Sequence, residues 1–91
     1  MKLRKLATFD EGFQRLPPEI KERAQRKFRL FAQDSAHKSL RIKKMRGYDN
    51  IWEGHISRGY VFTFSWDNDQ QTGERIAVLR KIGTHAIYNA P

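Results

Sequence analysis

The sequence predicts an α+β fold in which two helices lie against one face of a mainly antiparallel sheet. Its 91 residues suffice for one folding unit with a modest core. In the first third of the chain, apolar residues recur about every 3.6 positions, which is typical of amphipathic helices. After Gly47 they recur every second position, which is typical of strands. Helices followed by a run of strands favour α+β over an alternating α/β architecture.

The N-terminal third predicts one strand followed by a helical hairpin. Residues 1–7 are interpreted as the strand. Residues 8–10 offer capping side chains for a short helix, which must stop at Pro17 and Pro18. Proline in the first helical turn loses no needed hydrogen bond, so Pro18 also starts the second helix. That helix carries an apolar stripe formed by Ile20, Ala24, Phe28 and Phe31.

Four more strands are predicted in the remainder, at 39–45, 51–57, 60–66 and 74–82. The Arg58-Gly59 pair is expected to make a tight connection between two of them, and residues 67–73 form a polar turn. Along 60–66, alternate side chains point to opposite faces. We expect the aromatic face to enter the core and the small, partly polar face to line an open surface. These faces are Tyr60, Phe62, Phe64 and Trp66, and Val61, Thr63 and Ser65.

The charge of the chain is strongly basic and unevenly distributed. Eighteen Lys and Arg against ten Asp and Glu give a net charge of +8, which favours polyanionic partners, nucleic acid first. Residues 35–47 alone contribute five cations and no acid, so a phosphate backbone would feel a local field there. A solvated basic loop is the alternative interpretation. The cations predicted to bind nucleic acid are Lys38, Arg41, Lys43, Lys44 and Arg46.

Several classes of site are excluded by what the sequence lacks. Without cysteine there are no disulfides, thiolate metal sites or cysteine nucleophiles, which fits a reducing cytosol. No apolar run is long enough for a membrane span or a signal peptide, so we expect a soluble intracellular protein. The three histidines have neither paired carboxylates nor the spacing of metal ligands, and no glycine-rich phosphate loop is present. We therefore expect no metal and no cofactor.

What remains is a set of cationic and imidazole side chains that the strands could gather on one face. Glu53 and His55 should point away from the core, with Arg58 at the following turn. Cleavage of RNA without a metal needs a base for the 2′-hydroxyl, cations for the phosphate charge and an acid for the leaving oxygen. Histidine and arginine suit these roles. The predicted catalytic residues are His55, Arg58, Arg80, His85 and Tyr88.

Four stretches of the chain resemble the RelE/ParE superfamily, and specifically its RelE-type (HigB/RelE-like) toxins. They read FQRLPPEIKERAQRKFRLFAQD, HKSLRIKKMRG, IWEGHISRGYVFTF and LRKIGTHAIY, and the last two are the most specific. The resemblance implies one RelE-like toxin domain over residues 1–91, with two helices on an antiparallel sheet. It also implies a cytoplasmic toxin paired with a small antitoxin and cleaving mRNA on the ribosome without metal. His85 and Tyr88 match family positions, and His55 is the nearest match to a basic residue on the preceding strand.

Two positions depart from the family pattern. Many active relatives carry an arginine where this chain has Val61, and an aspartate where it has Ala86. Either another cation replaces the missing arginine, namely Arg58, Arg80 or the Lys43-Lys44 pair, or catalysis is reduced. Two alternatives to the nuclease therefore stay open. One is a ParE-like, non-enzymatic inhibitor of DNA gyrase, and the other is a weakened relative that only binds its antitoxin or RNA.

Overall fold

The computed structural model describes residues 1–91 and has the predicted α+β architecture, with both helices on one face of a single sheet. The strands are β1 (Lys2–Lys5), β2 (Lys43–Lys44), β3 (Trp52–His55), β4 (Val61–Asn68) and β5 (Arg75–Gly83). The helices are α1 (Ala7–Gln14) and α2 (Pro18–Gln33). Two 3₁₀ helices span Lys38–Leu40 and His85–Asn89. No helix is long and apolar enough to cross a membrane.

The five strands form one sheet in the order β1-β5-β4-β3-β2. β1 runs parallel to β5, and every other neighbouring pair is antiparallel. The basic strand predicted at 39–45 is mostly wrong, because only Lys43 and Lys44 pair with β3. Residues 38–40 coil into a 3₁₀ helix instead, and the following Arg41 adopts a left-handed backbone conformation that a strand cannot include.

Two predicted details at the ends of elements also differ. Residues 8–10 do not cap α1, which begins at Ala7 without a side-chain cap. Thr8 lies inside the helix and donates its hydroxyl hydrogen bond to the Arg80 carbonyl, 2.6 Å away, thereby joining α1 to β5. The connection between β3 and β4 is longer than the Arg58-Gly59 pair. It spans 56–60, where the N–H groups of Ile56 and Ser57 both donate to the Tyr60 carbonyl.

The hydrophobic core lies between the helices and the sheet. Phe28 and Phe31 of α2 make edge-to-face and tilted contacts with Phe62 and Phe64 of β4, with ring centroids 4.9 to 5.7 Å apart. Such aromatic pairs stabilise a core beyond the area that they bury. Ala24, fully buried, lets α2 approach the sheet closely. The apolar stripe predicted for the second helix therefore faces the core.

A bulge in β5 changes which side chains leave the core. Phe64 pairs with Leu79 and Thr63 pairs with Lys81, so Arg80 is an extra residue with no partner in the ladder. Leu79 and Ile82 both belong to the buried core, although three positions separate them. Arg80 and Lys81, between them, therefore both lie on the opposite face of the sheet.

That opposite face is covered near its centre, and the prediction that Val61 and Thr63 line an open surface is wrong. Both side chains are completely buried. The cover comes from the closing segment, residues 85–91, which crosses this face after β5. The Thr63 hydroxyl donates to the Pro91 carbonyl at 3.0 Å, and Pro91 is itself buried.

Candidate active site

The site face is the surface of the sheet opposite the helices, and β3 supplies its central residues. Glu53 pairs with Lys43 of β2 on one side and with Thr63 of β4 on the other. His55 pairs with Val61. Directly paired residues on antiparallel strands share a face, so these side chains lie on the same side as the closing segment. As predicted, Glu53 and His55 lie opposite the core-facing residues Trp52 and Ile56.

Glu53 connects the strand to the closing segment. The Tyr88 hydroxyl donates a hydrogen bond to Glu53 Oε1 at 3.2 Å, and His55 Nε2 lies 3.8 Å from the same oxygen. Only 8% of Glu53 is exposed, so this carboxylate is shielded from water by the groups that contact it. A buried carboxylate is costly unless it is hydrogen-bonded, and the Tyr88 hydroxyl supplies that bond.

Two histidines and the tyrosine form a continuous aromatic contact. The rings of His55 and His85 have centroids 6.3 Å apart, and those of His85 and Tyr88 are 5.5 Å apart and perpendicular. His85 is exposed, while His55 and Tyr88 are half-buried. The structure thus brings together His55, His85 and Tyr88 of the five predicted catalytic residues, and adds Glu53. We call these four residues the catalytic cluster, after the three predicted catalytic residues among them.

The surroundings shift the pKa of two members of the cluster. Burial raises the pKa of Tyr88 far above its ordinary value, and the negative charge of Glu53 and the hydrogen bond to it act in the same direction. The Tyr88 phenol therefore keeps its proton. Burial lowers the pKa of His55 below 6.5, helped by the charges of Arg41, His85 and Lys43 and opposed by that of Glu53. His55 is therefore a neutral imidazole at pH 7.

The two predicted catalytic arginines lie outside the cluster. Arg58 is exposed in the connection from β3 to β4 and lines a pocket that also includes His55. Arg80, the bulged residue, donates its Nε hydrogen bond to the Pro91 carbonyl at 3.2 Å. No hydrogen bond, ion pair or ring contact joins Arg80 to a histidine or to Tyr88. Arg80 instead lines a separate depression with Lys81, Tyr48 and Pro91.

The predicted nucleic-acid-binding residues all remain exposed at one end of the sheet, around β2. Arg41 and Lys43 lie near enough to influence the charge state of His55. The basic segment and the cluster are thus neighbours in space. The five residues of this basic segment are Lys38, Arg41, Lys43, Lys44 and Arg46.

Sequence reasoning missed the position of Lys81 on the site face and gave Glu53 a minor place. Regular alternation along β5 would put Lys81 and Leu79 on one face, and no residue type in the strand signals the bulge that separates them. The signal for Glu53 was present: a carboxylate alternating with a histidine on a strand that faces away from the core. No group of three or more His, Asp or Glu side chains lies close enough together to hold a metal ion.

In fold, this chain is similar to solved toxins of toxin-antitoxin systems. The YoeB/ParE toxin from Agrobacterium tumefaciens superimposes with a TM-score of 0.74 at 13% identity, covering 93% of this chain and 99% of that one. RelE in the RelB-RelE antitoxin-toxin complex from Methanococcus jannaschii superimposes with a TM-score of 0.67 at 21% identity. The match covers 97% of this chain and 99% of that one. YafQ from E. coli superimposes with a TM-score of 0.71 at 9% identity, and the match covers 96% of each chain.

Because these identities are low, the likeness establishes the fold alone. No sequence-family model and no curated protein sequence matches the chain. The RelE-type architecture expected from the four motif stretches is confirmed by the structural matches, which span nearly the full length of both partners.

Proposed function

We propose that this protein is the toxin of a type II toxin-antitoxin system, a metal-independent endoribonuclease that cleaves mRNA on the ribosome. The observation that carries the proposal is the contact of His55, His85, Glu53 and Tyr88 beside an exposed basic segment. A proton acceptor, a second imidazole and unpaired cations are the groups that this reaction requires. Such a toxin acts in the cytoplasm, as one RelE-like domain over residues 1–91.

In the proposed reaction, His55 acts as the base. Its neutral imidazole takes the proton of a ribose 2′-hydroxyl, and the resulting oxygen attacks the adjacent phosphorus. The bond from phosphorus to the 5′-oxygen breaks, and protonated His85 gives that oxygen its proton. The products are a 2′,3′-cyclic phosphate and a 5′-hydroxyl, so no water and no metal enter the step. Arg41 and Lys43, whose charges act on His55, are the cations proposed to stabilise the charge that develops on the phosphate.

Tyr88 and Glu53 position the two histidines in this scheme. A phenol with a strongly raised pKa is a poor proton donor to a leaving group, but it is a good hydrogen-bond donor to a carboxylate. The bond from Tyr88 to Glu53 holds the closing 3₁₀ helix, which carries His85, against β3, which carries His55. The distance between base and acid is therefore set by this bond.

Val61 does not bar the reaction. Its side chain is fully buried on the site face, so a guanidinium at this position would have to reach past the cover to contact RNA. The cations that border His55 come instead from Arg41 and Lys43, in the basic segment. We propose that these residues replace the arginine found at this position in many relatives.

An antitoxin is the expected protein partner. RelE from M. jannaschii was solved with RelB, and YafQ of E. coli was solved with DinJ. By analogy, we propose that a small antitoxin covers the basic surface of this chain. Its net charge of +8 favours an acidic, amphipathic segment in such a partner.

The test is to induce the protein in bacterial cells and map the ends of the mRNA by sequencing. We expect new ends inside translated regions for the unaltered protein and none for His85→Ala. Because His85 is exposed, this substitution should leave the fold intact. Co-expression of an acidic antitoxin should restore both growth and intact messages. Arrested growth with intact mRNA would overturn the nuclease proposal. Loss of supercoiling in the same cells would then identify a gyrase inhibitor, and intact supercoiling would identify a silent relative.

A further inference from the structure

We infer that a pocket beside His55 binds a phosphate group of RNA, in addition to the phosphate that is cleaved at the catalytic cluster. The basic pocket, as we call it, has a volume of about 360 Å³. It is lined by Arg23, Lys27, Ser39, Arg41, His55, Ile56, Ser57 and Arg58. The identity of the ligand as RNA rests on the proposed function, whereas the binding of an anion rests on the pocket itself.

The charge of the basic pocket is unbalanced. Arg23 and Lys27 lie one turn apart on α2, Arg41 follows the first 3₁₀ helix, and Arg58 lies in the connection from β3 to β4. None of these four cations forms an ion pair, and no acidic residue lines the pocket. Some surface cations elsewhere are paired, as in the 2.9 Å contact of Arg26 with Glu22. Like charges one turn apart destabilise a helix, and a bound anion would remove that repulsion.

The backbone at Arg41 is a second, independent observation. Its φ of 50° makes it the only non-glycine residue in the chain with a left-handed conformation, which disfavours side chains that carry a Cβ. Leu40 before it is fully buried and Ile42 after it is partly buried, so the chain is anchored on both sides. Glycine would meet the backbone requirement with less strain, and yet an arginine occupies this position at the pocket wall. Strained residues of this kind cluster at binding and catalytic sites.

The other groups of the pocket also suit a phosphodiester. Arginine can bind two phosphate oxygens at once through its planar fork, and Arg23, Arg41 and Arg58 approach from three different elements. Ser39 and Ser57 supply hydroxyl donors. The volume lies within the range of pockets that hold small ligands. His55 belongs both to this pocket and to the cluster, so the bound phosphate and the cleaved one belong to nearby nucleotides if one strand supplies both.

Occupation of the pocket should also act on His55. The charged groups that face its imidazole are Glu53 on β3, Lys43 on β2, Arg41 after the first 3₁₀ helix and His85 in the closing segment. A phosphate beside Arg41 would offset the positive charge on that side. Binding should therefore raise the pKa of His55 towards its ordinary value, which the ring signals of His55 would report in an NMR titration.

The experiment compares two double variants that remove the same net charge. Arg23→Gln/Lys27→Gln alters the basic pocket, and Arg15→Gln/Arg29→Gln removes two exposed, unpaired cations outside it. Binding is measured by fluorescence anisotropy with a short single-stranded 2′-O-methyl RNA, which cannot be cleaved, and with purified ribosomes. Both titrations cover about 50 to 200 mM KCl, where phosphate contacts have their largest effect.

We expect the pocket variant to bind about tenfold more weakly than the control variant. We also expect the slope of log affinity against log salt to fall by about 1.4, because each contact to a single-stranded phosphate contributes about 0.7. If the pocket variant binds the short RNA more weakly, the ligand of the pocket is the cleaved strand. If it binds only ribosomes more weakly, the ligand is ribosomal RNA. Equal affinities of the two variants in both titrations would overturn the inference. If the unaltered protein does not cleave mRNA but binding still depends on the pocket, the nuclease proposal fails and the phosphate site stands.

Discussion

The hydrogen bond from Tyr88 to Glu53 joins residues that are 35 positions apart in the chain. No local pattern could predict this contact, because a tyrosine near the end of the last motif has many possible partners. The sequence nevertheless marked both residues, one through the family resemblance and one through strand alternation. The structure adds the reason for the tyrosine: it is a protonated donor to a shielded carboxylate.

The first prediction concerns Tyr88→Phe. Removing the hydroxyl leaves Glu53 with His55 as its remaining contact, so we expect the free energy of unfolding to fall by about 1 kcal/mol. Cleavage should slow about tenfold, because the closing helix loses its attachment to β3. Chemical denaturation and single-turnover cleavage measure the two effects. A general acid contributes about 10²- to 10⁴-fold, so a loss beyond a hundredfold with unchanged stability would make Tyr88 the proton donor instead.

The second prediction concerns pH and His55. As a base, His55 must be neutral, so cleavage should rise with pH through a midpoint below 6.5. Stability should fall as pH drops through the same range, because the unfolded chain there binds the proton that folded His55 rejects. Arg41→Gln removes a charge that lowers this pKa and should move the midpoint up, while Glu53→Gln should move it down. NMR titration of the His55 ring checks both shifts, and shifts in the same direction would refute this account.

At the scale of the elements, β3 depends on a glycine between Glu53 and His55. A Cβ on Gly54 would collide with the ring of Phe62, which lies against the strand on its core side. Phe62 is fully buried and cannot move away without disturbing the aromatic core. The close approach of Phe62 therefore fixes the stretch of backbone that presents Glu53 and His55.

The third prediction follows from that contact. We expect Gly54→Ala to lower the free energy of unfolding by about 1 to 3 kcal/mol through overpacking, and to abolish cleavage by displacing its two neighbours. Gly59→Ala is the matched control, since a Cβ there meets nothing within 4 Å and the backbone needs no positive φ. The control should differ from the unaltered protein by at most about 0.5 kcal/mol in urea denaturation. Equal stability of the two variants would show that β3 tolerates displacement.

Sequence patterns predicted the elements well where neighbouring residues determine them. The stripe of α2 and the aromatic face of β4 are buried as expected, because a regular period fixes which side chains share a face. The patterns failed where distant residues decide. Val61 and Thr63 look like an open surface in their own strand, and only the return of residues 85–91 buries them. The left-handed backbone of Arg41 is likewise unmarked in the sequence.

At the scale of the whole molecule, the two edges of the sheet differ in how far their cations are paired with acidic residues. At the β1 edge, two of the three cations of the strand are paired, Lys2 with Asp69 and Arg4 with Asp67. At the β2 edge, the basic segment and the basic pocket have no acidic partners apart from Glu53 beside Lys43. The net charge of the chain is therefore concentrated near the catalytic cluster. The sequence predicted the excess of charge in 35–47, and the fold adds Arg23 and Lys27 from α2 to it.

The fourth prediction concerns salt. Because association with RNA would rest on these unpaired cations, cleavage on ribosomes at limiting protein should fall steeply between about 50 and 200 mM KCl. The rate at saturating protein should change little, since the cluster is partly shielded from ions. Lys2→Gln, at the paired edge, should leave the salt dependence unchanged, whereas Lys43→Gln should reduce it. Identical salt profiles for these two variants would contradict the difference in charge pairing between the two edges of the sheet.

The extra residue in β5 has a consequence for how this sequence can change over time. Loss of the codon for Arg80 or Lys81 would leave Leu79 and Ile82 two positions apart, so a regular pleat would keep both of them in the core. If the bulge were straightened with both cations retained, either Leu79 or Ile82 would leave the core. A single deletion in this stretch can therefore preserve the buried side of β5, and what it removes is one of the two cations on the site face.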